Sequence, residues 1–303
     1  MTSWFFRVSV FIPLLLLSCT EKTVPVQDWD RVIASYVDPE TEVNVLDLAE
    51  LNLALAETGR LATDLFHYTQ VGSLGILPDW NRDERPGKIS SDVYYSMGLV
   101  ACAQRMAFET NVAAEADYLP EMMLRLIQTN LINGSYPVAE KYIRVLEKDG
   151  YDCSRYKPFL YNDAAVDRDP ELGPRRRCIP ARDHIALENG IDEDLKEIIR
   201  INPSYHKAIE YLGVIYLLDT EMDKFREMLD EFYGTEALPT LPESFAEAAC
   251  MLSELERGYW KKVGVDPAVY KRYTEYKKRL GTGLSMDKYR DTFWYYIMRV
   301  NNP

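Results

Sequence analysis

Two short segments carry the side chains best suited by type and spacing to recognition chemistry. Gly72 to Arg85 reads G-S-L-G-I-L-P-D-W-N-R-D-E-R, a loop that gathers Trp80 among Asp79, Arg82, Asp83 and Glu84. Aromatic and arginine side chains anchor interfaces, so this loop is a candidate recognition site. The competing reading is a plug, with Leu77 and Trp80 packed back onto neighbouring helices. Arg175-Arg176-Arg177 is the one run of three arginines, a concentrated basic cluster in an acidic chain. Guanidinium groups at that density suit a phosphate, a carboxylate or an acidic partner. They suit internal pairing with Asp167, Asp169 or Glu171 equally well. Asp183-His184 offers a base beside an orienting carboxylate, but sequence neighbours on a helix point apart. Among 48 acidic residues no pair stands out for acid–base work. The chain has no GxSxG, Walker A, GxGxxG or HExxH sequence. The expectation is a non-enzyme without a cofactor.

The cysteines divide by context. Cys102 and Cys250 lie in apolar helical patterns, where a small buried thiol is usual. Cys153 and Cys178 flank an irregular, proline-containing stretch, and a disulfide closing that loop is a candidate. There is no CxxC, and His67, His184 and His206 are far apart in sequence, so no metal site is expected. Cys19 belongs to different chemistry. Met1 to Arg7 is a short segment with one basic side chain, and Val8 to Leu17 is an apolar run too short to span a hydrocarbon core. The run ends in Leu16-Leu17-Ser18-Cys19, which resembles the bacterial lipobox. In that motif the cysteine sulfur is diacylated and the cysteine becomes the mature N-terminus. Residues 1–18 then form a lipoprotein signal peptide, and 19–30 a lipidated N-terminus and tether. Two or more acyl chains, at roughly 0.8 kcal/mol per buried methylene, hold a protein firmly to a bilayer. Thr20-Glu21-Lys22 follows, without an aspartate directly after the cysteine. By resemblance to the Gram-negative sorting rule, this favours the outer membrane, facing the periplasm or the exterior.

The elements that must position these groups read almost throughout as helices. The formal charge of the 303 residues is −13. Residues 1–18 contribute only Arg7, which leaves a body near −14 (−13 less one positive charge). Such a body excludes nucleic acid as a partner, because nucleic-acid binding needs a basic footprint. Apolar residues recur at helical spacing over Val43 to Tyr68, with an interruption at Gly59. After the loop Thr69 to Ser90, Ser91-Asp92 is placed to cap a helix running to about Ala113. Helices follow over Tyr118 to Asn133 and Tyr136 to Lys148. A long irregular stretch spans Gly150 to Pro180, where the body 31–303 can subdivide. Helices resume from about Ala181 to Ile201, Ser204 to Leu218, Glu221 to Tyr233, Pro242 to Lys262, Pro267 to Leu280 and Met286 to Val300. Strand-like alternation is nearly absent.

Two helix pairs resemble tetratricopeptide repeats. After Asn202-Pro203, Ile209, Leu212, Gly213 and Tyr216 follow the pattern of the repeat's first helix. Gly213 is expected to admit a close helix approach, with Leu212 and Tyr216 filling the seam. Phe225 stands where the second helix usually has alanine. In the other pair, Gly134, Tyr136, Ala139 and Ile143 follow the second helix, while Ile127 replaces the first helix's glycine. The fold expected is all-α, with stacked antiparallel helical hairpins forming a tetratricopeptide-like α-solenoid; an ordinary helical bundle is the alternative. Longer phrases resemble uncharacterised proteins of Bacteroidota with a tetratricopeptide-like C-terminal region. They are LNLALAETGRLATDLFHY (Leu51 to Tyr68), GILPDW (Gly75 to Trp80), VYYSMGLVACAQRMAFE (Val93 to Glu109) and TNLINGSYPVAEKYIRVL (Thr129 to Leu146). Those relatives carry N-terminal transmembrane helices where this chain has a lipobox.

These readings together imply a membrane-anchored envelope lipoprotein whose helical hairpins bind a protein or peptide, as extended helical scaffolds do. The alternative is a glycan- or nutrient-binding lipoprotein, partner of an outer-membrane transporter.

Overall fold

The computed structural model describes residues 22–38, 42–180 and 190–301. Cys19 and His184 lie outside the described residues. Those described fold as helices without a strand; two isolated bridges, Lys22–Tyr151 and Tyr233–Leu238, are the sole β-type pairings among them. No helix among them is long and apolar enough to cross a membrane.

The first helices are α1 (Trp29–Ser35), α2 (Val45–Glu57) and α3 (Leu61–Asp64). Asn44 caps α2 by accepting from the amides of Leu46 and Asp47. The break expected at Gly59 separates α2 from α3. Next come α4 (Glu84–Met97) and α5 (Val100–Ala113), and here the expectation fails. The helix starts at Glu84, with Pro86 in its first turn, where a proline's missing N–H costs nothing. Ser91 is no cap. It is buried, and its hydroxyl donates to the Ala103 carbonyl of α5 at 3.0 Å. The chain folds back at Gly98, whose φ is +87°. A Cβ at Gly98 would stand 3.0 Å from the Tyr205 ring and 3.2 Å from Cys178 Sγ, so conformation and space both require glycine.

Helices α6 (Pro120–Ile132) and α7 (Tyr136–Lys148) follow closely where periodicity placed them. The stretch expected to be irregular carries two short helices, α8 (Asp163–Arg168) and α9 (Leu172–Arg176), and a single 3-10 turn at Lys157–Phe159. The remaining helices are α10 (Ile191–Ile201), α11 (Lys207–Leu218), α12 (Met222–Phe232), α13 (Glu243–Leu252), α14 (Tyr259–Lys262), α15 (Pro267–Arg279) and α16 (Phe293–Asn301). The helix expected over Pro242 to Lys262 is thus two helices, α13 and α14.

Buried apolar side chains form two clusters. One joins α1 to α3 with α10 to α16; the other joins α5, α6, α7 and the segment from Cys153 to Leu172. Helix α4 serves both. Ile89, Val93 and Met97, spaced at i, i+4 and i+8, face the first cluster, and Tyr95 faces the second. In the larger cluster the expected close approach occurs at Gly213, where a Cβ would come within 2.2 Å of the Phe245 ring of α13. Phe225 occupies its non-standard position by meeting Phe245 edge-on, ring centroids 5.3 Å apart. A glycine on one helix and a bulky ring on the next fill the same seam.

Candidate functional site

The structure separates the candidate residues rather than gathering them. In the loop before α4, Asp79 and Arg82 are exposed and Trp80 is half-buried. The Trp80 indole N–H donates to the Asp83 carbonyl at 3.2 Å and lies over Gly87, where a Cβ would come within 2.9 Å of it. Leu77 packs against the larger core. Arg85 fastens the loop's end to α2 through Asp47 and Glu50, at 2.5 and 3.0 Å. Trp80 therefore spends much of its surface inside the fold.

The three arginines have three fates. Arg177 is exposed. Arg176 pairs with Asp163 at 2.5 Å and with Asp167 at 3.4 Å. Arg175 is buried: its Nε donates to the Tyr95 carbonyl at 2.8 Å and its Nη1 to the Glu171 carbonyl at 2.9 Å. The Arg175 guanidinium carbon lies 4.0 Å from the Tyr95 ring centroid, and that of Arg125 lies 3.5 Å away. Two guanidinium groups cannot approach so closely on one face without clashing, so they clasp Tyr95 from opposite sides.

Arg175 belongs to a network that sequence reasoning missed. Glu57, at the end of α2, accepts from Ser96 Oγ at 2.5 Å and Lys207 Nζ at 2.7 Å, with Arg175 Nη2 at 3.9 Å. Burial pushes the Glu57 carboxyl up, but Lys207, its hydrogen bond, Ser96 and Arg175 outweigh this and hold it below the usual range. Tyr205 donates its hydroxyl to the Ser96 carbonyl at 2.7 Å. On the other side, Glu171 accepts from Gln128 at 2.6 Å and Arg155 at 2.8 Å. These groups lie along the seam between the two apolar clusters and tie them together. One signal was available: α2 is apolar nearly all round, so a charge at its end needs a partner.

A cavity of about 300 Å³ opens at the same seam, beside the α4–α5 fold-back. Leu99, the residue before α5, and Val100 and Cys102 of its first turn form one wall, and Ile198 and Ile201 of α10 another. Cys178 to Pro180 close a third side; Gln104, Asn133, Asp194 and Glu197 supply polar atoms. The site suits a small amphipathic occupant more than bond-making chemistry. Burial raises the Cys102 thiol to about 11, with Asp194 adding to it, and raises Cys178 to about 11, so neither is a ready nucleophile at neutral pH.

The candidate disulfide is corrected. Cys153 and Cys178 are both free and lie in different apolar clusters. Cys178 Sγ instead points to the Pro174 carbonyl, at 3.3 Å. Among the described residues no group of three or more His, Cys, Asp or Glu side chains is placed to hold a metal ion.

No curated protein and no solved structure matches the chain. A family profile does, from residue 18 to residue 299, and the chain belongs to that family, the family of unknown function DUF6057.

Proposed function

We propose that this protein is a lipid-anchored helical scaffold of the bacterial cell envelope that binds a protein or peptide segment. The anchor is the Cys19 lipid of the lipobox reading. The scaffold consists of tetratricopeptide-like stacked hairpins. In support, α4, α5, α6 and α7 pack each on the next, as do α10, α11, α12 and α13.

The observation that carries the reading is the cavity at the seam. Its apolar walls come from Leu99, Val100, Ile198 and Ile201, and the amides of Gln104 and Asn133 stand among them. About 300 Å³ accommodates one or two side chains of a peptide; Asn133 Nδ2 donates to Gln104 Oε1 at 3.2 Å, which leaves the other amide atoms of this pair for a peptide backbone.

A photo-crosslinking residue at Ile201, on the cavity, and another at Leu255, an exposed position outside its lining, test this in intact cells. A specific adduct from Ile201, absent from Leu255 and lost on filling the cavity with Val100→Trp, is the expected result. No adduct, together with thermal stabilisation by a glycan mixture, would overturn it in favour of a glycan-binding lipoprotein.

A further inference from the structure

The polypeptide is pinned to the body three residues after Cys19. The Lys22 amide donates to the Gly150 carbonyl at 2.8 Å, and the Asp152 amide donates to the Lys22 carbonyl at 2.8 Å. The Lys22 ammonium also stands 5.4 Å from the Tyr151 ring centroid. The pinning point is the turn that follows the C-terminal end of α7. It lies 128 residues away in sequence from Lys22 (150 less 22), so it is a tertiary contact.

We infer that this clip makes the C-terminal end of α7 the membrane-facing surface of the body, with a phospholipid bilayer as its partner. The inference rests on lipidation of Cys19. Three residues extend at most about 11 Å, whatever path they take. Without the clip, the first fixed point would be Asp28, the cap of α1, nine residues from Cys19 and up to about 30 Å away. A body of this length has a radius of gyration of roughly 19 Å, hence a diameter of roughly 50 Å. On a leash of about 30 Å such a body turns many faces to the bilayer. On one of about 11 Å it cannot, and the surface around Lys22, Lys148 and Tyr151 stays beside the headgroups. Tyr151 suits that position as an amphipathic ring; exposed Asp149 and Asp152 in the same turn offset the charge of Lys22 and Lys148, so the short leash and not charge holds this surface at the headgroups.

The clip also sets the height of the cavity. Asn133, on its wall, immediately precedes the turn into α7, while the clip follows the other end of that helix. Thirteen helical residues span about 20 Å, so α7 acts as a spacer between the lipid anchor and the cavity.

The test uses the full lipidated chain in vesicles of phosphatidylethanolamine and phosphatidylglycerol carrying a headgroup-region quencher. A fluorophore is coupled at Lys148→Cys or, on α15 in the other cluster, at Lys278→Cys; both lysines are exposed. Quenching at 148 is expected to exceed that at 278 at least twofold. Twelve glycine and serine residues inserted between Glu21 and Lys22 are expected to abolish the difference. Equal quenching in the native chain, or a preference for 148 that survives the insertion, would overturn the inference while lipid on Cys19 upholds the anchor. Mass spectrometry finding no lipid on Cys19 would instead refute the anchor and this inference with it. Slow exchange of the Lys22 and Asp152 amides is the expected independent sign of the clip, and fast exchange of both would remove its basis.

Discussion

Glu247 is the buried acid whose protonation should govern how stability changes with pH. It lies on α13, 2% exposed, and one of its oxygens accepts from the Phe293 amide of α16 at 2.8 Å. Its nearest cation is Arg272, 4.0 Å away, which is already engaged by Asp291 at 2.6 Å. Burial pushes the carboxyl up to about 8; the Phe293 hydrogen bond and Arg272 pull it down, while Glu243 and Asp291 push it further up. The unfolded chain, near 4.5, releases a proton that the folded chain keeps. Stability from this group is therefore complete below about pH 4.5 and is lost as pH rises through about 8. Within that window each pH unit removes up to about 1.4 kcal/mol, or about 3 kcal/mol between pH 5 and pH 8. Glu247→Gln imitates the protonated acid and keeps an acceptor for Phe293. Urea unfolding of both proteins from pH 5 to pH 8 isolates this site, since other titrations cancel in the difference. The variant should match the native protein at pH 5 within about 1 kcal/mol and exceed it by about 3 kcal/mol at pH 8. Parallel pH profiles would refute the reasoning. So would a variant weaker by about 2 kcal/mol at every pH, the behaviour of a charged pair with Arg272.

Gly213→Ala places a methyl 2.2 Å from the Phe245 ring, and should cost about 1–3 kcal/mol in denaturant titration. Glu57→Gln leaves buried Arg175 and half-buried Lys207 without their carboxylate and should cost about 3 kcal/mol by the same measurement, with Glu57→Asp recovering part of it. Trp80→Ala should lower the melting temperature without altering crosslinking from Ile201, because its indole is spent on Asp83 and Gly87. Thiol titration of the denatured chain should find Cys102, Cys153, Cys178 and Cys250 all reactive, with no increase after reductant.

Helical class was legible because apolar spacing near 3.6 residues is a local property of the chain. Helices α6 and α7, each closed by its own turn, fall within two residues of the spans that periodicity assigned. Gly213 was legible too, since a glycine amid large apolar residues on a helix implies something close against it. The start of α4 was not. Ser91-Asp92 has the composition of a cap, yet Ser91 spends its hydroxyl on Ala103, a partner supplied only when α5 folds back.

The chain's own sequence determined its helical class, which depends on neighbours a few residues apart, and its acidity, which depends on composition alone. Tertiary structure alone decided which charges meet. Arg175, Arg176 and Arg177 are identical in type and adjacent, but one is buried against Tyr95, one pairs with Asp163, and one is exposed. The same holds for Cys153 and Cys178, which look like a pair in sequence and lie in separate cores. Burial and pairing depend on residues more than a hundred positions away, as Glu57 with Lys207 and Lys22 with Gly150 show. Those meetings were settled by the packing of α4 between two apolar clusters, a long-range free-energy balance that no short window of sequence contains.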